Sequence, residues 1–159
     1  MNILAKQGPV AKDLRWIISV LKINNDLERM GDQAVNISYS GKDYLSRQPI
    51  QQLGDIQRMS EIAGKMVKES LDSFVKGDCV QAKNILAMDD EIDALKNKVF
   101  NDAKTHMQKN PNDVDAGLDL ILIARNLERL GDHATNIAED VIFAVTGKDE
   151  ITLLLGGNK

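Results

Sequence analysis

The stretch "NLERLGDHATNI" spans residues 126–137, and residues 26–37 read "DLERMGDQAVNI". From Leu27 to Ile37, eight of eleven residues are identical to those one hundred positions later. Apolar residues recur at three- and four-residue steps through and around both stretches, which is the period of an amphipathic helix. A helical unit written twice at a fixed offset indicates an internal duplication. We therefore expect the two helices that carry these copies to be equivalent elements of two repeats.

Four long helices are predicted, and they form an all-α, antiparallel bundle. The first covers residues 9–45 and the second residues 50–76. The third follows Asp78, a predicted N-cap with Gln81 in the capping-box position, and ends near residues 109–113. The fourth runs from residue 112 or 113 to 147. The connections are short, so consecutive helices are expected to run antiparallel.

Each helix has a predicted apolar stripe that faces the core. In the first helix the stripe is Trp16, Val20, Ile23, Leu27, Met30, Ala34 and Ile37. In the fourth it is Leu120, Ile123, Leu127, Leu130, Ala134, Ile137 and Val141. Aromatic residues make up only 4% of the chain and hydrophobic residues 43%. This composition suits packing of helix on helix better than a β-sandwich.

Charge and cysteine content exclude several classes of protein. The net charge is −4 over 159 residues, and the basic residues are interleaved with acids, which argues against nucleic-acid binding. Cys79 is the single cysteine, so no internal disulfide is possible, and a reducing cytoplasm is expected. The longest apolar run is too short to span a bilayer, so no direct membrane insertion is predicted.

Paired acids are the first candidate site. Glu28 and Asp32 lie four residues apart on one helix face, and Glu128 and Asp132 repeat the pair. Like charges at this spacing destabilise an isolated helix by roughly 0.2–0.5 kcal/mol. A bound hard cation would remove that cost, because such ions prefer carboxylate oxygens. In the second copy the same face is expected to continue through Asn136 and Asp140.

A third acidic pair strengthens the metal hypothesis. The segment "MDDEIDAL" places Asp89 and Asp93 four residues apart on the third helix. The simpler interpretation of each pair is a solvated surface, or local neutralisation by Arg29 and Arg129. Both interpretations remain open from the residues alone.

Several other residues invite a functional interpretation that is weaker than the structural one. Gly31 and Gly131 interrupt strong helix patterns, at a cost of about 1 kcal/mol each relative to alanine. Close helix packing is the favoured explanation, and space for a ligand is the second. His133 is expected to be a surface or capping group rather than a metal ligand. His106 has no evident partner and, like the cysteine, is assigned no role.

Three segments together resemble the PhoU family of bacterial and archaeal phosphate-transport regulators. They are "GPVAKDLRWIISVLKINNDLERMGDQAVNI" at residues 8–37, "MDDEIDALKNKVF" at 88–100 and "IARNLERLGDHATNIAEDVIFAVTG" at 123–147. The resemblance implies three-helix repeats that bind metal through E(D)xxxD motifs. It makes Glu28 with Asp32, Asp89 with Asp93, and Glu128 with Asp132 the candidate ligands of Fe, Zn, Mn, Ni or Mg.

The resemblance also implies a division of the chain. Residues 1–48 would be the last helix of a first repeat, residues 49–147 a complete second repeat, and residues 148–159 a flexible tail. The acidic partner helix of Glu28 and Asp32 is then missing from this chain, so the intact metal site is expected at Glu128 and Asp132. The first helix is expected to pack on the other three as a four-helix bundle, or to pair in a homodimer.

By this resemblance the protein is a non-enzymatic, negative regulator of phosphate uptake and of the phosphate-starvation response. The implied partners are the ATPase of the phosphate ABC transporter and the phosphate-sensing histidine kinase. The implied location is the cytoplasm, with peripheral attachment to the membrane through the transporter. Two alternatives are a carboxylate-bridged di-metal enzyme and a metal-free helical adaptor. The enzyme is disfavoured because no glutamate is followed by a histidine three residues later.

Overall fold

The computed structural model describes residues 11–47, 50 and 54–148. Its helices are α1 (Ala11–Leu45), α2 (Gly54–Lys76), α3 (Cys79–Leu86), α4 (Asp89–Lys109) and α5 (Val114–Thr146), with a 3₁₀ turn at Pro111–Asp113 before α5. The described residues form no strand, so the all-α prediction is confirmed. The predicted start of the first helix at Pro9 and the predicted tail beyond residue 148 lie outside the described residues.

The third helix is not continuous, and the prediction of a single long helix there was wrong. The chain turns at Ala87 and Met88 between α3 and α4. Three acids, Asp89 to Glu91, then occupy the first turn of α4. Carboxylates are stabilised at a helix N-terminus by the exposed N–H groups and the helix dipole. Neither glycine nor proline marks this break, so the apolar period contained no sign of it.

The α5 helix is the centre of the bundle, and every other helix packs against it. Contacts such as Ser19 to Asp140 and Asp26 to His133 show that α1 runs antiparallel to α5. Lys96 contacts Glu128, and Met107, farther along α4, lies against Gly117, earlier in α5, so α4 is also antiparallel to α5. The predicted α5 stripe is confirmed, since all of its members are buried or packed against the buried core.

The α1 helix packs mainly along α5, on the outside of the bundle that α2 to α5 form. Its predicted stripe was only partly right. Ile23 and Met30 are buried, whereas Val20 is 49% and Leu27 40% exposed. Polar residues take their place: Ser19 is fully buried and donates a hydrogen bond to the Asp140 carbonyl. The face of α1 that packs against α5 is therefore rotated about the helix axis relative to the predicted apolar stripe.

Two helix ends follow the local sequence signals. The Asp78 carboxylate accepts hydrogen bonds from the backbone N–H groups of Val80 and Gln81, which confirms it as the N-cap of α3. Gly77, before it, has φ of 65°, a left-handed conformation in which an L side chain is strained. Among the described residues, none of the helices has the length and apolarity needed to cross a bilayer.

Candidate functional site

Four of the predicted acids come together between α4 and α5. We call Asp89, Asp93, Glu128 and Asp132 the acidic cluster. The pKa of Asp132 is raised, first by burial and then by the charges of Glu128, Asp89 and Asp93. Repulsion of this kind shows that the two helices bring their carboxylates close enough to interact. Helices α4 and α5 therefore place four of the predicted acids near one another at this end of the bundle.

Lys96 lies within the acidic cluster, although it was not among the predicted site residues. Its Nζ is 2.9 Å from Glu128 Oε1 and 3.2 Å from Asp93 Oδ1. The pKa of Lys96 is raised, mainly by its hydrogen bond to Glu128. Its position three residues after Asp93 was a local signal for an ion pair. The contact to Glu128, across to another helix, had no such signal.

Asp89 is the least satisfied member of the acidic cluster. Its Oδ1 is buried and has no hydrogen-bond partner among the described residues. Burial raises its pKa, and the charges of Asp93, Asp90 and Glu128 raise it further. An orphaned buried oxygen of this type is costly unless a ligand, an ion or water pairs with it.

The acids of the first motif copy lie away from the acidic cluster. Glu28 and Asp32 are both exposed on α1 and join no metal-holding cluster of acids within the described ranges. On the same face of α1, Leu14, Ile18 and Leu21 are also exposed, the last of them by 62%. Helix α4, which supplies Asp89 and Asp93 to the second copy, packs on α5 and not on this face.

The two motif copies meet where α1 crosses α5. His133 Nδ1 is 2.9 Å from Asp26 Oδ1, and Asn136 donates a hydrogen bond to the same oxygen at 3.3 Å. The side chains of His133 and Asp26 are only 16% and 12% exposed. The expectation that His133 is a surface or capping group was therefore wrong, because its partner lies 107 residues away.

Asp140 also faces α1 instead of the acidic cluster. It is buried and accepts a hydrogen bond from Lys22 Nζ at 2.9 Å. Burial raises the pKa of Asp140, while Lys22 opposes that rise. The acidic face was predicted to continue through Asn136 and Asp140. Asn136 lines one pocket with Asp132, whereas Asp140 pairs with Lys22 of α1. His106, which was given no partner, is paired with Asp113 at 2.7 Å.

Comparison with known proteins now defines the family. The family model described as "PhoU domain" matches residues 1–40 and 56–141, most of the chain. The chain belongs to the PhoU family. A Caulobacter vibrioides protein named "Phosphate-specific transport system accessory protein PhoU homolog" is 36% identical over 149 residues, which are 93% of this chain and 65% of that protein. A Zymomonas mobilis protein of the same name is 38% identical over 93% of this chain and 62% of that protein.

A solved PhoU structure has the same fold. The crystal structure of PhoU from Pseudomonas aeruginosa superposes with a TM-score of 0.88 at 34% sequence identity. The match covers 92% of this chain and 71% of that one. The chain thus spans somewhat under two thirds of the length of the first curated PhoU relatives.

The acidic cluster of this PhoU chain fits a metal ion in its chemistry but not in its present arrangement. Carboxylate oxygens suit hard and borderline divalent cations, and the orphaned Asp89 oxygen is a free acceptor. However, no group of three His, Cys, Asp or Glu residues in the described part of the chain is disposed to hold a metal. The Lys96 ammonium already neutralises Glu128 and Asp93. A cation could therefore be held there by Asp89, Asp132 and Glu128 only after Lys96 moves away.

Proposed function

We propose that this PhoU chain is a non-enzymatic regulator of phosphate transport and of phosphate-starvation signalling that acts by contact with other proteins. The observation that carries the proposal is the 36% identity, over 93% of the chain, to a protein named as a phosphate-specific transport system accessory protein. The proposed partners are the transporter ATPase and the phosphate-sensing histidine kinase. Regulation is proposed to be negative. The proposed location is cytoplasmic, peripheral to the membrane through the transporter.

The outer face of α1 supports action by protein contact. Leu14, Ile18 and Leu21 lie at three- and four-residue steps near the start of α1, Val35 and Tyr39 lie farther along the same face, and all five are exposed. Polar residues, Asn25, Glu28 and Asp32, separate the two groups. Exposed apolar side chains grouped on one helix face are typical of a protein interaction surface. A second copy of the chain is one candidate to cover it, which would make a homodimer.

Metal binding at the acidic cluster is the second part of the proposal. A divalent ion such as Fe, Zn, Mn, Ni or Mg would pair with the orphaned Asp89 oxygen and relieve the repulsion that raises the pKa of Asp132. Lys96 would compete with the ion for Glu128. The metal-free adaptor remains a second candidate, because Lys96 supplies a cation from the chain itself.

A pull-down tests the regulatory role. The tagged chain is incubated with the transporter ATPase and with the kinase, with chelator or with added divalent metal. Retention of either partner is expected, and it should weaken in an α1 variant that combines Ile18→Ser with Leu21→Ser. The control Val80→Ser changes another exposed apolar residue, on α3. If neither partner is retained under either condition, the proposed role is contradicted. Light scattering of the same samples tests the homodimer.

Elemental analysis and metal titration test the acidic cluster. Protein purified without chelator is expected to carry a transition or divalent metal, and Glu128→Ala with Asp132→Ala should abolish it. The matched control is Glu28→Ala with Asp32→Ala, the same pair in the first copy. Lys96→Met should tighten binding, because it removes the competing ammonium. Metal-free protein whose stability does not respond to added metal would leave the adaptor as the function.

A further inference from the structure

A polar pocket lies where the two motif copies meet, beside the acidic cluster. Its volume is about 540 Å³. We call it the arginine pocket; it is lined by Arg29 and Gln33 of α1 and by Arg129, Asp132, His133 and Asn136 of α5. The two arginines occupy the same position in the two copies of the motif. The antiparallel packing of α1 on α5 brings both into one cavity.

Both arginines lack a counter-ion within the ranges that the structure describes. An aspartate follows each by three residues, at Asp32 and Asp132, which is a spacing that favours an ion pair on a helix. Nevertheless, neither Arg29 nor Arg129 forms a salt bridge within 4.0 Å or a hydrogen bond in the described part of the chain. The idea that these arginines neutralise the acids locally is therefore wrong. Two unpaired guanidinium groups in one cavity favour an anion that accepts hydrogen bonds from both.

The same pocket also offers hydrogen-bond acceptors. Gln33 Oε1 is buried and has no partner among the described residues, and Asp132 contributes a carboxylate. His133 uses Nδ1 towards Asp26, which holds the ring with Nε2 as its remaining polar atom. An anion without protons, such as sulfate, satisfies the arginines but repels Asp132 and leaves Gln33 unpaired. An anion that keeps a proton can satisfy both kinds of group.

We propose that the arginine pocket binds inorganic phosphate, held by Arg29 and Arg129 and distinguished from unprotonated anions by Gln33 and Asp132. Inorganic phosphate keeps a proton above neutral pH and can donate it to either acceptor. Phosphate esters are largely dianions there, since their second pKa is about 6, and have no proton to donate. The arginine pocket shares Asp132 with the proposed metal site, so phosphate binding is measured in chelator, without metal. The inference does not depend on the regulatory contacts, and its failure leaves them untouched.

Isothermal titration of the full chain tests this binding. The chain, treated with chelator, is titrated at about pH 8 with sodium phosphate, sodium sulfate or phenyl phosphate at equal ionic strength, where all three are largely dianions. We expect one phosphate per chain. Sulfate and phenyl phosphate should bind about tenfold or more weakly, because each leaves a buried acceptor unpaired. Gln33→Leu should reduce the preference over sulfate.

Matched variants separate the pocket from general surface charge. Arg29→Gln and Arg129→Gln should each weaken phosphate binding about tenfold or more, because each removes a charge-assisted hydrogen bond. Arg125→Gln removes the same charge from an exposed position one turn earlier on α5, outside the pocket. Arg29 and Arg129 are exposed too, so Arg125 differs from them only in lying outside the pocket. Arg125→Gln should change the affinity less than about twofold, since a charge that does not contact the anion acts on it only through screened solvent.

Any one of four results would overturn the proposal. The first is no saturable phosphate binding. Equal binding of sulfate and equal weakening by Arg125→Gln are the next two, and each of these two indicates an adventitious ion only. Circular dichroism shows whether each variant is folded. The NMR shifts of the His133 ring in the unmodified chain report on the pocket without any variant. Their failure to move with phosphate also overturns the proposal.

Discussion

Gly31 and Gly131 hold the same position in the two motif copies, yet their surroundings differ. A Cβ added to Gly131 would lie 3.3 Å from Ile92 Cγ2 and 3.5 Å from Met66 Cε. Ile92 is fully buried, so it has little freedom to move. A Cβ added to Gly31, an exposed residue, would meet no described atom within 4 Å. Close packing thus explains one glycine and not the other.

Alanine at each position should therefore have different effects. Both substitutions gain helix propensity, which stabilises by about 1 kcal/mol. Gly31→Ala should show that gain in full, which is a rise of about 2–4 °C in Tm for a chain of this size. At Gly131 the contact with Ile92 opposes the gain, and overpacking of a core costs about 1–3 kcal/mol. We expect Gly131→Ala to be less stable than Gly31→Ala by about 1–3 kcal/mol.

Urea unfolding monitored by circular dichroism measures both differences. The two variants and the unmodified chain are compared in chelator and at one protein concentration, so that ligand binding and association do not shift the midpoints. Equal changes in the two variants would refute the packing argument. A loss of stability in Gly31→Ala would refute the argument from the open surroundings of Gly31.

Three further predictions concern single side chains. Asp89→Asn should raise the Tm at neutral pH in chelator, because the raised folded-state pKa of Asp89 means that its charge destabilises the fold. The gain in Tm should shrink as the pH falls through that pKa. It should vanish below about pH 4, where Asp89 is protonated in the folded and in the unfolded chain. A lower Tm at neutral pH contradicts this. Asp26→Ala should lower the free energy of unfolding in urea by about 1–3 kcal/mol, because it leaves His133 without its acceptor. Asp32 is exposed, so Asp32→Ala should change that free energy by less than about 0.5 kcal/mol. Equal losses in the two variants would exclude a specific role for the Asp26–His133 pair. Asp78→Ala should lower stability by about 1 kcal/mol through loss of the α3 N-cap, and an unchanged Tm would show that water replaces it.

The sequence by itself determined the all-α class of this protein and its family. Helix-period spacing identified the long helices but not the break between α3 and α4. The repeat predicts that α1 and α5 are equivalent, and Asp78 was identifiable as a cap. These features depend on residues within a few positions of one another, or on similarity between segments. The convergence of Asp89 and Asp93 with Glu128 and Asp132 was also within reach, because the resemblance paired those two helices.

Tertiary structure decided which charges face one another. Lys96 reaches Glu128 and Asp26 reaches His133 only because two helices cross at a particular rotation and register. The helix period specifies which residues share a face, but not which face a distant helix will cover. For the same reason the buried side of α1 includes Ser19 and excludes Val20. The two similar motif copies therefore differ in their surroundings, because α4 packs on the copy in α5 and not on the copy in α1.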